Sequence, residues 1–457
     1  MPLNVTWTNF RGFKRPTSLV FPRLTLLIGR NNVGKTSAYT PLLLLRQTLD
    51  ASNPQTALLS RGSMVDAGFY HDFISNHEIE RDLVLNLGIP NNLPLRRTAG
   101  RTETIGGFEA RFASPDGNSV RLDGHRIYDS AGKNLITRVR ERGKETFTLN
   151  SVLLPSRNSV GRPPREVTEL RRSMRGEQPE GFLFQGIGGL LIPPSFRENE
   201  ERWKKVRGWF NAASEVYSLH SRVNNAVFSL LNGISYIGPL RSLPLRTYRL
   251  TAESPTGVGR AGEWAPEMLF RQREDEVRQV VDGWLARLGY GRLEFETFGD
   301  EYFQMHTVND SGVKVNVAHS GVGLSQILPL FVQGALSGED DTLIAQQPEI
   351  HLNPAQQGHA ADFLIETAQR GSRVIIETHS EHVLLRLRRR IAEGVIPSSE
   401  VALYYVENDG GETRVRAVDV SKFGAIERAQ WPTGFFEEQL DDALALSIAQ
   451  SAARRNQ

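Results

Sequence analysis

The stretch that most constrains this chain is Leu24–Ser37, LTLLIGRNNVGKTS. A short apolar run leads to Gly29, four further residues, then Gly34, Lys35 and Thr36, the spacing of a phosphate-cradling loop. The two glycines let the backbone curl so that its amides face an anion, and a helix that follows adds its positive N-terminus. Lys35 is expected to reach the β- and γ-phosphates of a nucleotide, and Thr36 to give its hydroxyl to Mg²⁺. The expected nucleotide-binding set is therefore Gly29, Arg30, Asn31, Asn32, Val33, Gly34, Lys35, Thr36 and Ser37. Leu24–Ile28 reads as a buried strand and Ser37–Leu49 as a leucine-rich helix, the setting the motif needs. Pro41 falls in the first turns of that helix, where its missing N–H is expected to bend or loosen it.

A chain of 457 residues exceeds one ordinary core and implies two or three domains, or one domain with large insertions. With 54 basic and 52 acidic residues the net charge is +2, which demands no nucleic-acid partner. Cysteine is absent, excluding disulfides, thiolate metal sites and thiol nucleophiles. No apolar run approaches the ~20 residues that span a bilayer, and the N-terminus lacks a signal-peptide core. A soluble, cytoplasmic protein without membrane partners is the expectation.

Residues 1–80 read as the opening of an α/β lobe, with Val5 and Trp7 alternating with polar residues and two or three strands around the phosphate loop. From Asp82 to Asn150 short alternating runs are separated by turns such as Pro115-Asp116-Gly117, which predicts a β-meander, either an inserted arm or an antiparallel flank. Arg138–Arg175 holds ten Lys/Arg against four Glu, either a surface for nucleic acid or an acidic partner, or a solvated loop, the latter favoured by Pro155, Gly161, Pro163 and Pro164. Glu198–Leu231 carries Val206, Phe210, Ala213, Val216 and Tyr217 at helical spacing, a core stripe without coiled-coil heptads, so that any helical arm is short. After Ile234–Arg249 come Arg241, Arg246 and Arg249, more often solvated than ligand-facing.

Chemistry resumes at Ser320-Gly321-Val322-Gly323-Leu324-Ser325-Gln326, a Ser-Gly turn ahead of an apolar helix at Ile327–Ala335. Two buried-strand runs follow, each ending in polar residues: LIAQQPEIHL, with Gln346, Gln347 and Glu349, and VIIETHS, with Glu377 and His379. The first is expected to lie beside the phosphate-loop strand and to deliver an acid to Mg²⁺ and the attacking water.

The ordered series GRNNVGKTS, SGVGLSQ, LIAQQPEIHLNP, IIETHS resembles the Walker A, signature, Walker B and switch-histidine motifs of ABC-type ATPases of the RecF, SMC and OLD-like branch. YIGPLR at Tyr236–Arg241 and the tail WPTGFFEEQLDDAL at Trp431–Leu444 resemble bacterial AAA-type ATPases of that branch. The resemblance implies an α/β, RecF-like P-loop head with a mixed sheet, an antiparallel β flank and an inserted β/helical region. Its parts would be an N-terminal lobe (1–80), an inserted region (81–235), a C-terminal lobe (236–410) and a tail (411–457). It implies ATP and Mg²⁺ as cofactors and a dimer that sandwiches two nucleotides. Ser320, Gly321 and Gly323 would face the γ-phosphate of the other copy, Thr36 and the residue at 346 would hold the metal, and Gln346, Gln347, Glu349 and His379 would form the catalytic set.

At 346 that pattern has a carboxylate, whereas this chain has Gln346. An amide can hydrogen-bond a water but brings no charge to Mg²⁺ and accepts no proton at neutral pH. ATP binding with impaired hydrolysis is expected, either in a natural variant in which Glu349 or Glu377 does the work or after a deliberate Glu-to-Gln change. The resemblance extends to ATPase subunits of phage-defence systems such as Septu, implying a sensor or scaffold that controls a separate nuclease or effector. The alternative is a DNA repair or recombination ATPase that clamps ends through Arg138–Arg175. Glu437, Glu438, Asp441 and Asp442 read as the solvated face of an amphipathic helix.

Overall fold

The computed structural model describes residues 1–89, 93–98, 101–154, 165–184, 200–272 and 276–427. The chain forms two compact units: residues 1–20 with 37–234, and residues 21–36 with 235–457. The phosphate loop thus packs with the C-terminal half, while the segments on either side of it pack with the β-rich region.

The first unit is organised by an antiparallel sheet. Its strands are β1 (Leu3–Thr8), β2 (Thr17–Phe21), β4 (Leu83–Gly88), β5 (Pro94–Thr98), β6 (Arg101–Ala113), β7 (Arg121–Asp129), β8 (Asn134–Arg140) and β9 (Phe147–Ser151), in the order β2-β1-β4-β6-β7-β8-β9 with β5 on β6. Leu3, Val5 and Trp7 of β1 and Leu83, Leu85 and Leu87 of β4 are buried alternately, as the period-2 pattern requires. β1 pairs directly with β4, so the meander continues the sheet of the first strand within the first unit. The Trp7 indole donates to the Ala38 carbonyl at 2.8 Å.

The helix after the phosphate loop runs Thr40–Leu49, preceded by a 3-10 turn at Thr36–Ala38, so it begins later than expected. Pro41 sits at its first positions, where an N–H would be unpaired anyway, and so starts the helix rather than bending it. Glu200–Asn232 is one 33-residue helix, about 50 Å long and therefore longer than expected. It buries Val206, Phe210, Ala213, Val216 and Tyr217.

The second unit is built on a mixed sheet of β3 (Leu24–Ile28), β10 (Ile234–Ile237), β15 (Thr342–Gln346), β16 (Arg373–Glu377), β17 (Val401–Asp409) and β18 (Glu412–Ala417), ordered β10-β15-β16-β3-β17-β18. β15, β16, β3 and β17 are parallel and β18 is antiparallel. β3 and β16 are buried at every residue, as strands covered on both faces must be. The expectation that the LIAQQ strand lies beside β3 is corrected: β16 lies between them. A smaller antiparallel sheet joins β11 (Tyr248–Arg249), β12 (Arg292–Phe298), β13 (Tyr302–Val308) and β14 (Lys314–Asn316).

Helices Val322–Leu336, Pro354–Gln369 and Glu381–Ala392 contribute to a core with Leu26, Ile28, Phe331, Leu343, Phe363, Ile376 and Leu403. The fold is of the expected α/β class, with a mixed sheet and antiparallel sheets. Among the described residues no helix is long and apolar enough to cross a membrane. The tail at 431–444, with Glu437, Glu438, Asp441 and Asp442, lies outside the described residues, as do Pro155, Gly161, Pro163 and Pro164.

Candidate functional site

The loop after β3 takes its shape from two glycines. Gly29 has φ +147° and Gly34 φ +101°, conformations that side chains oppose. Both are also crowded: a Cβ on Gly29 would collide with the Val406 carbonyl of β17, and one on Gly34 would lie 2.7 Å from the Thr413 hydroxyl of β18. Thr413 Oγ1 donates to the Val33 carbonyl at 3.1 Å, so the β17–β18 hairpin braces the loop. Lys35 is buried and curls across it, its Nζ donating to the carbonyls of Gly29 (3.1 Å) and Arg30 (2.6 Å). Burial lowers its pKa, while the charges of Glu377 and Glu349 raise it.

Parallel pairing brings two strand ends to one level. Gln346 is in register with Glu377, and Glu377 with Leu27 of the loop-bearing strand. Three polar side chains meet there: the Thr36 hydroxyl donates to Glu377 Oε2 at 2.9 Å, and the Gln346 amide donates to Thr36 Oγ1 at 3.2 Å. Tyr236, at the end of β10, donates its hydroxyl to Gln346 Oε1 at 2.5 Å and fixes the amide's orientation. The carboxylate beside Thr36 is therefore Glu377, from the interposed strand.

Glu349 and His379 are joined to this group. Glu349 is buried, accepts from the His379 backbone N–H at 2.8 Å, and has its second carboxylate oxygen unpartnered. Burial pushes its pKa up, against the pull of that backbone N–H. His379 is half-buried and held below its ordinary pKa by desolvation and then by Lys35, so it is neutral at pH 7. Gln347, at φ +45°, donates its N–H to the Glu377 carbonyl at 2.7 Å.

The helix expected at Ile327 begins earlier, at Val322, with Gly321 (φ +78°) as its N-cap. Ser320 shares a hydroxyl hydrogen bond with Thr307 at 3.2 Å. Gly323 has a packing reason to be glycine, since a Cβ there would lie 2.8 Å from the Tyr290 hydroxyl. The structure thus gathers the phosphate loop, Gln346, Glu377, Glu349 and His379, whereas Ser320, Gly321 and Gly323 share no hydrogen bond with them among the described residues.

Two participants escape the motif reading. Tyr236 is one; Arg241, grouped with Arg246 and Arg249 as a solvated cation, is the other. Arg246 and Arg249 are exposed, but Arg241 is buried. Its guanidinium donates to the carbonyls of Gln326 (3.0 Å), Gln346 (3.1 Å) and Gln347 (3.4 Å), and Nε has no partner. Burial pulls its pKa down to about 10, which leaves it a cation at neutral pH. The only sequence signal was its place just after the Gly238-Pro239 break in YIGPLR.

These residues fit a magnesium nucleotide. Lys35 and the loop amides suit polyphosphate, and the oxygens of Thr36, Gln346 and Glu377 suit a hard cation. Among the described residues no group of three or more His, Cys, Asp or Glu is placed to hold a metal ion.

A family model described as a protein of unknown function (DUF3696) matches residues 396–446. No curated protein matches the chain. Among solved structures it is similar to an SMC head bound to the C-winged helix domain of ScpA (13% identity, 92% of this chain and 98% of that one, TM-score 0.41). It is similar also to the SMC head domain from Thermotoga maritima (13%, 92% and 100%, 0.36) and to an SMC head with a coiled coil and joint derived from Pyrococcus yayanosii (11%, 93% and 98%, 0.40).

The basic stretch Arg138–Arg175 spends much of its charge internally. Arg138 is fully buried and pairs with Glu177, Arg140 pairs with Asp123 and Glu145, and Lys144 with Glu141. Arg171 stacks over Trp209 at 4.0 Å.

Proposed function

We propose that this chain is an ABC-type ATPase head that binds magnesium ATP at the phosphate loop, closes with a second copy around it, and hydrolyses it slowly. The observation that carries this reading is the hydrogen-bonded set Thr36–Gln346–Glu377 at the strand ends immediately beyond Lys35. Lys35 and the amides of Gly29–Thr36 would hold the phosphates. Thr36 and Glu377 would hold the magnesium ion, which when bound supplies charge neutralisation at the phosphoryl oxygens.

Glu377 restores the negative charge that Gln346 lacks, so binding survives. Proton acceptance does not: the Gln346 amide can orient a water but cannot take its proton. The remaining carboxylate, Glu349, is held against the His379 N–H. Ser320, Gly321 and Gly323, at the start of their helix, would serve the nucleotide of the second copy, and neutral His379 would read the γ-phosphate.

A head that holds ATP longer than it cleaves it suits a sensor or scaffold. In the reading favoured by the motif series, it gates a separate nuclease or effector subunit in an anti-phage complex. The internal pairing of Arg138, Arg140 and Lys144 leaves less charge for the DNA-clamp alternative. The test is Gln346→Glu with phosphate release measured in the presence of Mg²⁺. Turnover is expected to rise roughly 10²- to 10⁴-fold, and an unchanged rate would remove the assigned role of Gln346. Failure of the wild-type chain to retain labelled ATP with Mg²⁺ would remove the whole reading.

A further inference from the structure

We infer that Arg241 is a positioning residue that ties the helix Val322–Leu336 to the strand end carrying Gln346 and Gln347, so that nucleotide bound at the phosphate loop is felt at the Ser320-Gly321 turn of the same chain. The inference rests on the nucleotide-binding reading above and deepens it by naming how the site is regulated.

The geometry leaves few other uses for this side chain. Arg241 is 7% exposed and, among the described residues, forms no salt bridge, although the charge of Glu349 acts on it; its three hydrogen-bond acceptors there are the main-chain carbonyls of Gln326, Gln346 and Gln347. One is Gln326, within the first turns of the helix capped by Gly321. The others are Gln346 and Gln347, the last residue of β15 and the first beyond it.

Gln346 is in turn held by Thr36 and Tyr236, and the Gln347 N–H by the Glu377 carbonyl. A change at Thr36 therefore has a continuous hydrogen-bonded route to the helix start: Thr36 to the Gln346 side chain, through the Gln346 carbonyl to the guanidinium, and on to Gln326. A helix turn is stiff along its axis, so a displacement at Gln326 carries Gly321 and Ser320 with it.

A planar fork of N–H donors can span several carbonyls at once, whereas a lysine ammonium on a flexible stem is a point donor. An uncharged side chain of similar length fills the space and makes none of these bonds. A buried cation whose direct hydrogen bonds go only to carbonyls is also costly to keep, so its removal need not harm the fold. This separates a strut from a filler: a filler is replaceable by Met, and a strut is not.

The experiment is hydrogen–deuterium exchange with mass spectrometry on the full chain, with and without saturating magnesium ATP, for the wild type, Arg241→Met and Arg241→Lys. Thermal melting and labelled-ATP binding are measured on the same samples. In the wild type, ATP is expected to slow exchange both in Gly29–Ser37 and in Ser320–Leu328, the latter by about tenfold. In Arg241→Met the first protection stays, labelled ATP is retained within about threefold, melting falls by no more than a few degrees, and protection of Ser320–Leu328 is lost. Arg241→Lys restores at most a small part of it, and carries the test by itself should the Met variant melt early. Full protection of Ser320–Leu328 in either variant would overturn the inference and leave nucleotide binding intact. Absence of protection at Gly29–Ser37 in the wild type would overturn both.

Discussion

Buried cations of the two compact units can be set side by side: Arg138 in the first, Lys35 and Arg241 in the second. In the first, Arg138 has no exposed surface, pairs with the Glu177 carboxylate, donates to the Met174 carbonyl at 2.7 Å and lies 4.2 Å from the Phe184 ring centre. In the second, Lys35 and Arg241 are buried against carbonyls only, and the nearby carboxylate Glu349 keeps an unpartnered oxygen. A buried charge neutralised by its own carboxylate is a closed account and serves structure. One that hydrogen-bonds only to carbonyls and feels its carboxylates, Glu349 and for Lys35 also Glu377, without a direct bond is less fully compensated, which suits an anionic ligand or a movable contact.

That contrast is open to direct attack. The largest effect is expected for Arg138→Ala, which removes a fully buried guanidinium with its bonds to Glu177 and Met174 and should cost about 3–5 kcal/mol of stability, read by urea unfolding. ATP affinity per folded molecule should be unchanged; a marginal loss of stability would put Arg138 among the solvated cations instead.

Next is Lys35→Ala, expected to weaken ATP binding roughly 10²-fold, about 2.7 kcal/mol, in a labelled-ATP titration. Because the ammonium makes its hydrogen bonds to carbonyls and costs desolvation, melting should change by no more than a few degrees. A fall of many degrees would show that Lys35 belongs with Arg138 as a structural cation.

The smallest effect separates the two units by pH. His125 and His220 stack beside Arg138 with ring centres 5.9 Å apart, and burial holds both neutral, His220 with a pKa of about 3. Above pH 6.5 neither form of the chain protonates them. Below it the unfolded chain takes up protons that the folded one refuses, so stability falls as pH drops toward 3. From His220 alone the loss is about 2 kcal/mol at pH 5. Urea curves at pH 7 and 5 should show it, and His220→Phe should flatten the dependence; an equal slope in that variant would exclude the histidine.

Local chemistry was what the sequence displayed best. Gly29, Gly34, Lys35 and Thr36 were legible because a curled loop needs those residue types at that spacing, and β4 to β9 because alternation marks a half-buried strand. What it could not display was order across the sheet. Nothing near Glu377 announces that its strand lies between β15 and β3, so the carboxylate beside Thr36 was placed among the alternatives to Gln346 rather than named. Arg138 and Arg241 were misjudged for a related reason: an arginine's burial depends on partners far along the chain, Glu177 for one and the carbonyls of Gln326 and Gln346 for the other. The helices at Thr40 and Val322 begin about one turn away from where they were expected, where capping decides.

The brace behind the phosphate loop bears on how the protein is made. Thr413 reaches Val33 across 380 positions of sequence, and Val406 and Glu377 complete the same walls. A ribosome therefore releases the nucleotide motif some 380 residues before the residue that braces it. The nascent chain carries the motif long before the hairpin that shapes it, and ATP can reward folding only once that hairpin has emerged.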